Sequence, residues 1–260
     1  MRRCDRLQCY QAFIGEIDMR IEGKSVIITG AGGGIGEGIA HRMAEEGAAV
    51  IINDINAALG EKVAGAICNA GGKARFVQGD VTKSVDWEKL VAAAVDLAGK
   101  LDVIVNNAGW THRNRPLLEV SEDQFDKVYS INVKSIYWSA IHGAPALMRA
   151  GGGSFINIAS AAGVRPRPGL TWYNGSKSAA IMTSKSMAIE LGPHNIRVNC
   201  INPVFNPDTG LSAEFAGGPV DEALRAKYLA AIPLGRFSTA LDVANTALFL
   251  ASDEASFING

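Results

Sequence analysis

The chain has few cysteines, little net charge and no long apolar run. Its four cysteines, Cys4, Cys9, Cys68 and Cys200, form neither a CxxC pair nor a Cys/His metal-binding spacing. They therefore predict reduced thiols in a cytoplasmic protein, without a metal site. The formal net charge is -1, and charged residues make up 20% of the 260 residues. This balance argues against a nucleic-acid-binding or membrane-binding surface.

The first residues of the chain do not resemble the rest. No stretch reaches the roughly 20 apolar residues of a membrane-spanning helix, and the opening MRRCDRLQCYQAFIGEID lacks the apolar segment of an export signal. We expect residues 1–18 to form a loose extension, with an ordered arm packed on a neighbour as the alternative. The domain itself is predicted over 19–260, from the run MRIEGKSVIITG onward.

Short runs rich in valine and isoleucine alternate with longer helical patterns. The runs are almost continuously apolar, which is typical of strands buried on both faces. Strand–helix alternation implies right-handed crossovers and a parallel sheet covered on both sides, so we predict one doubly wound α/β domain of three layers. Strands are predicted at 25–30, 49–54, 74–80, 101–109, 154–160 and 196–203, and helices at about 35–46, 56–69, 84–99, 121–149, 172–191 and 239–251.

One long segment, 203–233, breaks this alternation. It contains several prolines and glycines, including Pro203, Pro207, Gly210 and Gly217. A long irregular segment inside a compact domain usually has a function. We therefore predict that it covers the substrate.

A glycine-rich turn, TGAGGGIG, follows the first predicted strand and opens the first helix. This is the position that a dinucleotide-binding turn requires, although the spacing is GxxxGxG rather than GxGxxG. Glycine allows the backbone to approach a pyrophosphate, which then lies on the N–H groups of the helix. A plain strand–helix turn is the alternative. The predicted cradle consists of Gly30, Gly32, Gly33, Gly34, Ile35 and Gly36.

An aspartate ends the second predicted strand. Asp54 lies 18 residues after Gly36, where a carboxylate accepts hydrogen bonds from the adenosine ribose and repels a 2′-phosphate. Positions 31–38 contain no arginine or lysine to neutralise such a phosphate. We predict NAD(H) in preference to NADP(H); alternatively, Asp54 caps the helix that starts near Asn56. Asp80 and Val81 end the third strand and are predicted to lie near the adenine.

Tyr173 and Lys177 are four residues apart on a predicted helix, so they share a face. A free tyrosine has a pKa of about 10, and a nearby ammonium favours the phenolate. We therefore expect Lys177 to lower the pKa of Tyr173 towards the working range of an acid–base group. Such a tyrosine gives a proton to a carbonyl oxygen or takes one from an alcohol. Ser160 ends the fifth predicted strand.

Several motifs match one family pattern in order. They are TGAGGGIG, Asp80-Val81, NNAG (106–109), Asn132 in SINV, Ser160 and YNGSK (173–177). Together they resemble the short-chain dehydrogenase/reductase family, of the classical type, from about Lys24 to Gly260. The resemblance implies a Rossmann-like fold, an oxidoreductase that interconverts a secondary alcohol and a ketone, a small-molecule substrate and a homotetramer or homodimer.

The resemblance also implies a role for each matching residue. Ser160 would hydrogen-bond the substrate oxygen, and Tyr173 would be the general acid or base. Lys177 would bind the nicotinamide ribose and tune Tyr173, and Asn132 would hold a water in the proton relay. Taken singly, each would be an ordinary satisfied polar group. Asn106, Asn107, Ala108, Gly109 and Pro203 would complete the cofactor site.

The sequence departs from the family pattern at two places. The family often has Pro-Gly and then a carboxamide-binding Thr after the sixth strand. Here the run is PVFNPDTG, with Val204 in place of the Gly, Asp208 at the Thr spacing and Thr209 one residue later. The family also continues beyond a segment such as SFING with a last strand, so we expect a clipped seventh strand at Gly260.

Two loops at the predicted ligand-binding edge carry possible substrate contacts. One interpretation is that their cationic groups select a carboxylate, a phosphate or a carrier-bound acyl group; the other is ordinary surface charge. Aromatic residues would form an apolar or sugar-stacking wall, or pack in the core. The ionisable residues are His112, Arg113, Arg115, Arg165 and Arg167, and the aromatic ones are Trp110, Trp172 and Phe205.

Three further functions stay open on the sequence alone. The pattern is similar to 3-oxoacyl-carrier-protein reductases, which generally prefer NADPH, and to sugar dehydrogenases. A protein that binds the cofactor without useful turnover, as a sensor or scaffold, is the alternative from another class, because a fold does not determine a function.

Overall fold

The computed structural model describes residues 19–207 and 209–260. They form a six-stranded parallel sheet with helices on both faces. The single doubly wound α/β domain predicted from the sequence is confirmed. The predicted extension 1–18 and Asp208 lie outside the described residues.

The sheet has the strand order β3-β2-β1-β4-β5-β6, and all neighbouring strands are parallel. The order reverses between β1 and β4, so the connections leave these two strands in opposite directions and a crevice opens at their carboxyl ends. The strands are β1 (Ser25–Thr29), β2 (Ala49–Asp54), β3 (Lys73–Gln78), β4 (Val103–Asn106), β5 (Gly153–Ile158) and β6 (Ile196–Ile201).

Alternate residues of each central strand enter two separate cores. In β1, Val26 and Ile28 pack on one face of the sheet and Ile27 on the other. All five residues of this strand are buried, because it is covered from both sides. This explains the continuously apolar runs in the sequence.

The helices form one layer on each face of the sheet. The layer on the Val26 side contains α1, α2 and α9, and the layer on the Ile27 side contains α3, α5 and α6. No helix of the described chain is both long and apolar enough to cross a bilayer. The helices are α1 (Gly34–Glu45), α2 (Ala57–Asn69), α3 (Ser84–Ala98), α4 (Glu122–Tyr129), α5 (Ser135–Arg149), α6 (Thr171–Leu191), α7 (Ser212–Ala216), α8 (Glu222–Leu229) and α9 (Ala240–Ala251).

Apart from element ends that differ by one to three residues, as in β4 (predicted over 101–109), the structure differs from the predicted elements in two places. The helix predicted over 121–149 contains a π-helical turn, Ser130–Lys134, which separates α4 from α5 and carries Asn132. Such single turns inside α-helices are frequent at functional sites. The irregular segment 203–233 contains two short helices, α7 and α8, where we expected only a loop.

Candidate active site

A cavity of about 590 Å³ opens at the carboxyl ends of the strands. We call it the cleft. Residues predicted from separate motifs meet there. Those on its lining are Gly30, Gly32, Gly33, Gly34, Ile35, Asp54, Asp80, Val81, Asn107, Ala108, Gly109, Trp110, Ser160, Tyr173, Lys177, Pro203 and Phe205.

The glycine turn has an open side and a packed side. A Cβ on Gly33 or Gly34 would meet no heavy atom within 4 Å, so both residues border open space. Gly36, in contrast, does not line the cleft. A Cβ there would meet the Gly30 carbonyl oxygen and would lie 2.5 Å from Nδ2 of Asn107. Gly36 therefore does not border the space for a ligand. It allows α1 to pack closely against Gly30 and Asn107.

Hydrogen bonds tie this turn to the NNAG segment after β4. The hydroxyl of Thr29 accepts from the backbone N–H groups of Asn107 (3.0 Å) and Ala108 (3.1 Å). Nδ2 of Asn107 donates to the carbonyl oxygens of Thr29 (2.8 Å) and Gly30 (3.0 Å). Asn107 thus fixes the shape of the glycine turn, in addition to lining the cleft.

Asp54 presents its carboxylate at the cleft. One oxygen accepts from the backbone N–H of Gly32 and the other from that of Asn56, both at 2.9 Å. Asn56 is the residue that caps α2, because its Oδ1 accepts from the N–H of Leu59 at 3.2 Å. The alternative role of Asp54 as the helix cap is therefore wrong. Asp80 is held in a similar way, since its Oδ1 accepts from the N–H and the hydroxyl of Thr82.

Tyr173 and Lys177 project from α6 into the cleft and are both buried. The ammonium of Lys177 donates to the carbonyl oxygen of Ile158 at 2.9 Å and lies 5.9 Å from the ring centroid of Tyr173. Burial raises the pKa of Tyr173, and a hydrogen bond with Ser160 opposes this rise. In the protein alone the desolvation of the phenolate dominates, so the pKa of Tyr173 is not brought down towards the working range. The tuning of Tyr173 by Lys177 stays a prediction.

Burial also acts on the lysine, lowering the pKa of Lys177 to about 8. Ser160 lies opposite, after β5, and its oxygen accepts from the N–H of Ala162 at 3.1 Å. This contact uses a lone pair of Ser160, so its hydroxyl proton can be donated to the Tyr173 oxygen, or to a substrate oxygen in its place. The end of the cleft near Tyr173 therefore combines two hydroxyl donors with a buried amine.

Asn132 lies on the π-helical turn, just outside the lining of the cleft. Its Oδ1 accepts from the N–H of Trp110, and its Nδ2 donates to the Trp110 carbonyl oxygen and to the hydroxyl of Ser176, each at 2.9 Å. Both amide protons are therefore used within the protein. The side chain positions Trp110 and the helix that carries Tyr173; the water-holding role implied by the resemblance stays a prediction.

The structure corrects the expectation for the cationic loops. The cleft is not lined by His112, Arg165 or Arg167. His112 is buried, with Nδ1 2.9 Å from the carbonyl oxygen of Arg113, and Arg165 is exposed. The guanidinium of Arg167 lies 5.8 Å from the ring centroid of Tyr228, outside the cleft. The loops turn these groups away because their backbones bind neighbouring segments.

The cleft also contains residues that the sequence analysis missed. The ammonium of Lys127 lies 4.4 Å from the ring centroid of Trp110. Lys127 and Ile131 are four residues apart on the same helical stretch as Asn132, so this spacing could have placed them beside it. Phe215 lies in the segment 203–233 that was predicted to cover the substrate, but no motif distinguished it within that segment, because contacts with distant segments place it. The main residues missed are Lys127, Ile131, Val204, Leu211, Ser212 and Phe215.

The lowered pKa of the buried Lys177 side chain leads to a prediction of how stability depends on pH. Burial lowers the pKa of Lys177 in the folded protein to about 8, from an ordinary value of 10.5. Above pH 8 the unfolded chain therefore binds more protons, and the free energy of unfolding rises with pH, by up to about 1.4 kcal/mol per pH unit. Urea unfolding at pH 7.0, 7.8 and 8.5 tests this. The series stops at pH 8.5 because the raised pKa of the Cys200 thiol and, at still higher pH, the raised pKa of Tyr173 have the opposite effect.

We expect Lys177→Met to remove this rise with pH. Lys185→Met, at an exposed position on the same helix, should keep it. Equal pH dependence in the wild type and in Lys177→Met would contradict the assignment of the rise to Lys177.

Comparison with known proteins gives consistent matches over nearly the whole chain. The family model described as Enoyl-(Acyl carrier protein) reductase matches residues 30–260. The chain is 45% identical over 242 residues to 4-formylbenzenesulfonate dehydrogenase TsaC1/TsaC2 of Comamonas testosteroni, covering 93% of this chain and 96% of that protein. It is 37% identical over 242 residues to the 3-oxoacyl-[acyl-carrier-protein] reductase FabG of Chlamydia pneumoniae, covering 93% and 95%.

A solved structure shows the same similarity in three dimensions. The 3-ketoacyl-(acyl-carrier-protein) reductase from Brucella melitensis, complexed with NADH, superposes with a TM-score of 0.85 and 39% sequence identity. The match covers 92% of this chain and 95% of that one. The similarity thus includes both the sheet and the segments that line the cleft.

Proposed function

The chain belongs to the short-chain dehydrogenase/reductase family, and from this we propose that it is an NAD(H)-dependent oxidoreductase that interconverts a secondary alcohol and a ketone. One observation carries the proposal: Ser160, Tyr173 and Lys177 line the same cleft as the glycine turn and Asp54. An acid–base group and a dinucleotide cradle in one cavity are what hydride transfer to a carbonyl carbon requires.

The cleft fits a nicotinamide dinucleotide by its shape and its donors. The open space beside Gly33 and Gly34 lies at the N-terminus of α1, where helix N–H groups bind phosphates. Asp54 would accept hydrogen bonds from the hydroxyls of the adenosine ribose, and Lys177 would bind the nicotinamide ribose. When bound, the dinucleotide supplies or accepts the hydride.

The residues of the chain would handle the proton. Ser160 donates a hydrogen bond to the substrate oxygen, which stabilises the negative charge that develops there. Tyr173 gives its proton to that oxygen during reduction and takes it back during oxidation. Because burial raises the pKa of Tyr173, its hydroxyl is protonated at neutral pH and holds the proton that carbonyl reduction requires.

Asp54 should determine the choice of cofactor. Asp54→Asn keeps the size of the side chain and an acceptor oxygen but removes the charge that repels a 2′-phosphate. We expect the ratio of kcat/KM for NADH to that for NADPH to fall by roughly 10- to 100-fold, the value of a hydrogen bond to a charged group. Glu61→Ala, an exposed carboxylate on α2, is the control and should keep the ratio. A wild-type protein that uses NADPH as well as NADH would contradict the proposal.

A second candidate is a 3-oxoacyl-carrier-protein reductase. The names of the relatives from Chlamydia pneumoniae and Brucella melitensis support it, whereas the carboxylate of Asp54 supports the preference for NADH. The relative from Comamonas testosteroni is named for 4-formylbenzenesulfonate, an aryl aldehyde. NADH consumption with acetoacetyl thioesters and simple ketones, together with NAD⁺ reduction in the presence of sugars, separates these candidates from a sugar dehydrogenase.

We also propose where the enzyme acts, what it binds and how it assembles. It would act in the cytoplasm on a small molecule, without a nucleic-acid or membrane partner, as a homotetramer or homodimer. The net charge of -1 supports the first part. Exposed apolar side chains on α5 and α6, including Ile141, Met182 and Ile189, support assembly. Light scattering coupled to size exclusion measures the assembly directly.

A further inference from the structure

Aromatic side chains from the segment after β6 form one side of the cleft. The ring of Phe205 stacks on that of Phe215, with centroids 5.4 Å apart and planes 28° apart. It also stacks on Tyr228, at 4.2 Å and 28°. Phe205 and Phe215 line the cleft, whereas Tyr228 lies outside the lining and supports Phe205. We call Phe205 and Phe215 the aromatic wall.

The aromatic wall extends to the acid–base group. The ring centroid of Phe215 is 5.8 Å from that of Tyr173, and the two planes are at 88°. The same segment adds the apolar side chains of Val204 and Leu211 to the lining. Among its described residues, none contributes a charged side chain to the cleft. The segment also adds the polar side chains of Asn206, Thr209 and Ser212. Next to Tyr173 itself, however, this side is formed by the ring of Phe215.

The loop after β4 fixes the short helix that carries Phe215. The N–H of Asn114 donates to the carbonyl oxygen of Glu214 at 2.8 Å, and its Nδ2 donates to those of Phe215 (3.3 Å) and Pro168 (3.0 Å). A Cβ on Gly169 would collide with Oδ1 of Asn114. We call these hydrogen bonds the Asn114 clasp. An isolated helix as short as α7 is unstable, so the clasp sets the position of Phe215.

We propose that the cleft takes a substrate whose reacting carbon carries a planar aryl ring, such as an aryl ketone or its benzylic alcohol. This rests on the proposed function, which places the carbonyl oxygen at Tyr173 and Ser160. A ring on that carbon lies against Phe215, where aromatic contacts add to the effect of apolar burial. A saturated ring buries a similar area without those contacts. The expected preference for the aryl compound is roughly three- to tenfold.

Two ketones of nearly equal size test the proposal. We would measure kcat/KM for the NADH-dependent reduction of acetophenone and of cyclohexyl methyl ketone. The wild type is expected to prefer acetophenone three- to tenfold, and Phe215→Leu, which keeps apolar bulk without a ring, should lose the preference. Phe257→Leu, at a fully exposed position, is the matched control and should keep it. Equal kcat/KM for the two ketones, or an unchanged preference in Phe215→Leu, would overturn the inference.

A binding measurement separates this inference from the proposed function. Both ketones are titrated calorimetrically into the protein saturated with NAD⁺, where reduction does not proceed. Tighter binding of acetophenone that depends on Phe215 supports the aryl site even if neither ketone is ever reduced, an outcome that would count against the proposed function alone. Equal dissociation constants would overturn the aryl site whatever the turnover.

The Asn114 clasp has its own test as a positioning device. In Asn114→Ala we expect KM for acetophenone to rise at least threefold, with a smaller change for cyclohexyl methyl ketone and kcat within about twofold for both, since the clasp acts through Phe215. A purely structural role would change both ketones alike. That result would remove Asn114 from the proposal.

Discussion

Tyr173→Phe is expected to lower kcat by a factor of roughly 10² to 10⁴, the contribution of a positioned general acid or base. The substitution removes one oxygen atom from a buried ring that packs beside Phe215. The glycine turn and Asp54 are untouched, so NADH should bind within about twofold of its wild-type affinity. Steady-state kinetics and a fluorescence titration with NADH measure the two quantities separately.

A second tyrosine provides the control. Tyr137 is 53% exposed on α5, and Tyr137→Phe should leave both kcat and NADH affinity unchanged. If Tyr173→Phe retains most of the wild-type rate, Tyr173 is not the acid–base group. If the wild type binds NADH but reduces no carbonyl compound, the sensor or scaffold alternative is favoured.

Replacing two glycines of the same turn by alanine should have different effects: one replacement should lower stability and the other should weaken NADH binding. At Gly36 a Cβ would meet the Gly30 carbonyl oxygen and would lie 2.9 Å from the Cα of Ala31. Backbone atoms cannot give way as a flexible side chain does, so we expect Gly36→Ala to lower the free energy of unfolding by about 3 kcal/mol or more. Urea unfolding measures the change.

Gly33 is the matched partner. Its backbone is extended, with φ of -176°, which any residue adopts, and its Cβ would meet no heavy atom within 4 Å. Gly33→Ala should therefore fold with nearly wild-type stability, but the added methyl group occupies the predicted phosphate cradle. We expect at least a tenfold weaker affinity for NADH, consistent with the loss of one or two hydrogen bonds. Unchanged affinity would mean that the open side of the turn does not hold the cofactor.

The sequence was sufficient to predict the fold because its signals are local. Runs such as SVIITG and AVIIND contain consecutive valine and isoleucine residues instead of an alternating pattern, which is typical of a strand covered on both faces. Asp54 and Ser160 were recognisable for a related reason. Each follows a strand, and the carboxyl ends of parallel strands meet at one edge of the sheet. The motifs could therefore be assigned to one cleft before any distance was known.

The remaining features of the site depend on contacts between distant segments. Phe215 reaches Tyr173 because Asn114, about a hundred residues earlier in the chain, binds its backbone. The pKa of Tyr173 depends on burial, which spacing along a helix does not reveal. His112 lies in the predicted loop, but its ring is turned inward to the backbone of Arg113. A loop that carries cationic residues therefore does not show where their side chains point.

The position of β1 at the centre of the sheet has a consequence for the order of folding. β1 pairs with β2 and also with β4, where Val26 is opposite Val103. The glycine turn after β1 is completed only when Asn107 donates to Thr29 and Gly30. The chain between the glycine turn and Asn107 forms a long loop. Closing it costs conformational entropy, which slows this step of folding. During synthesis, the first third of the chain therefore cannot form a finished cofactor cradle until β4 has been made and has docked against β1.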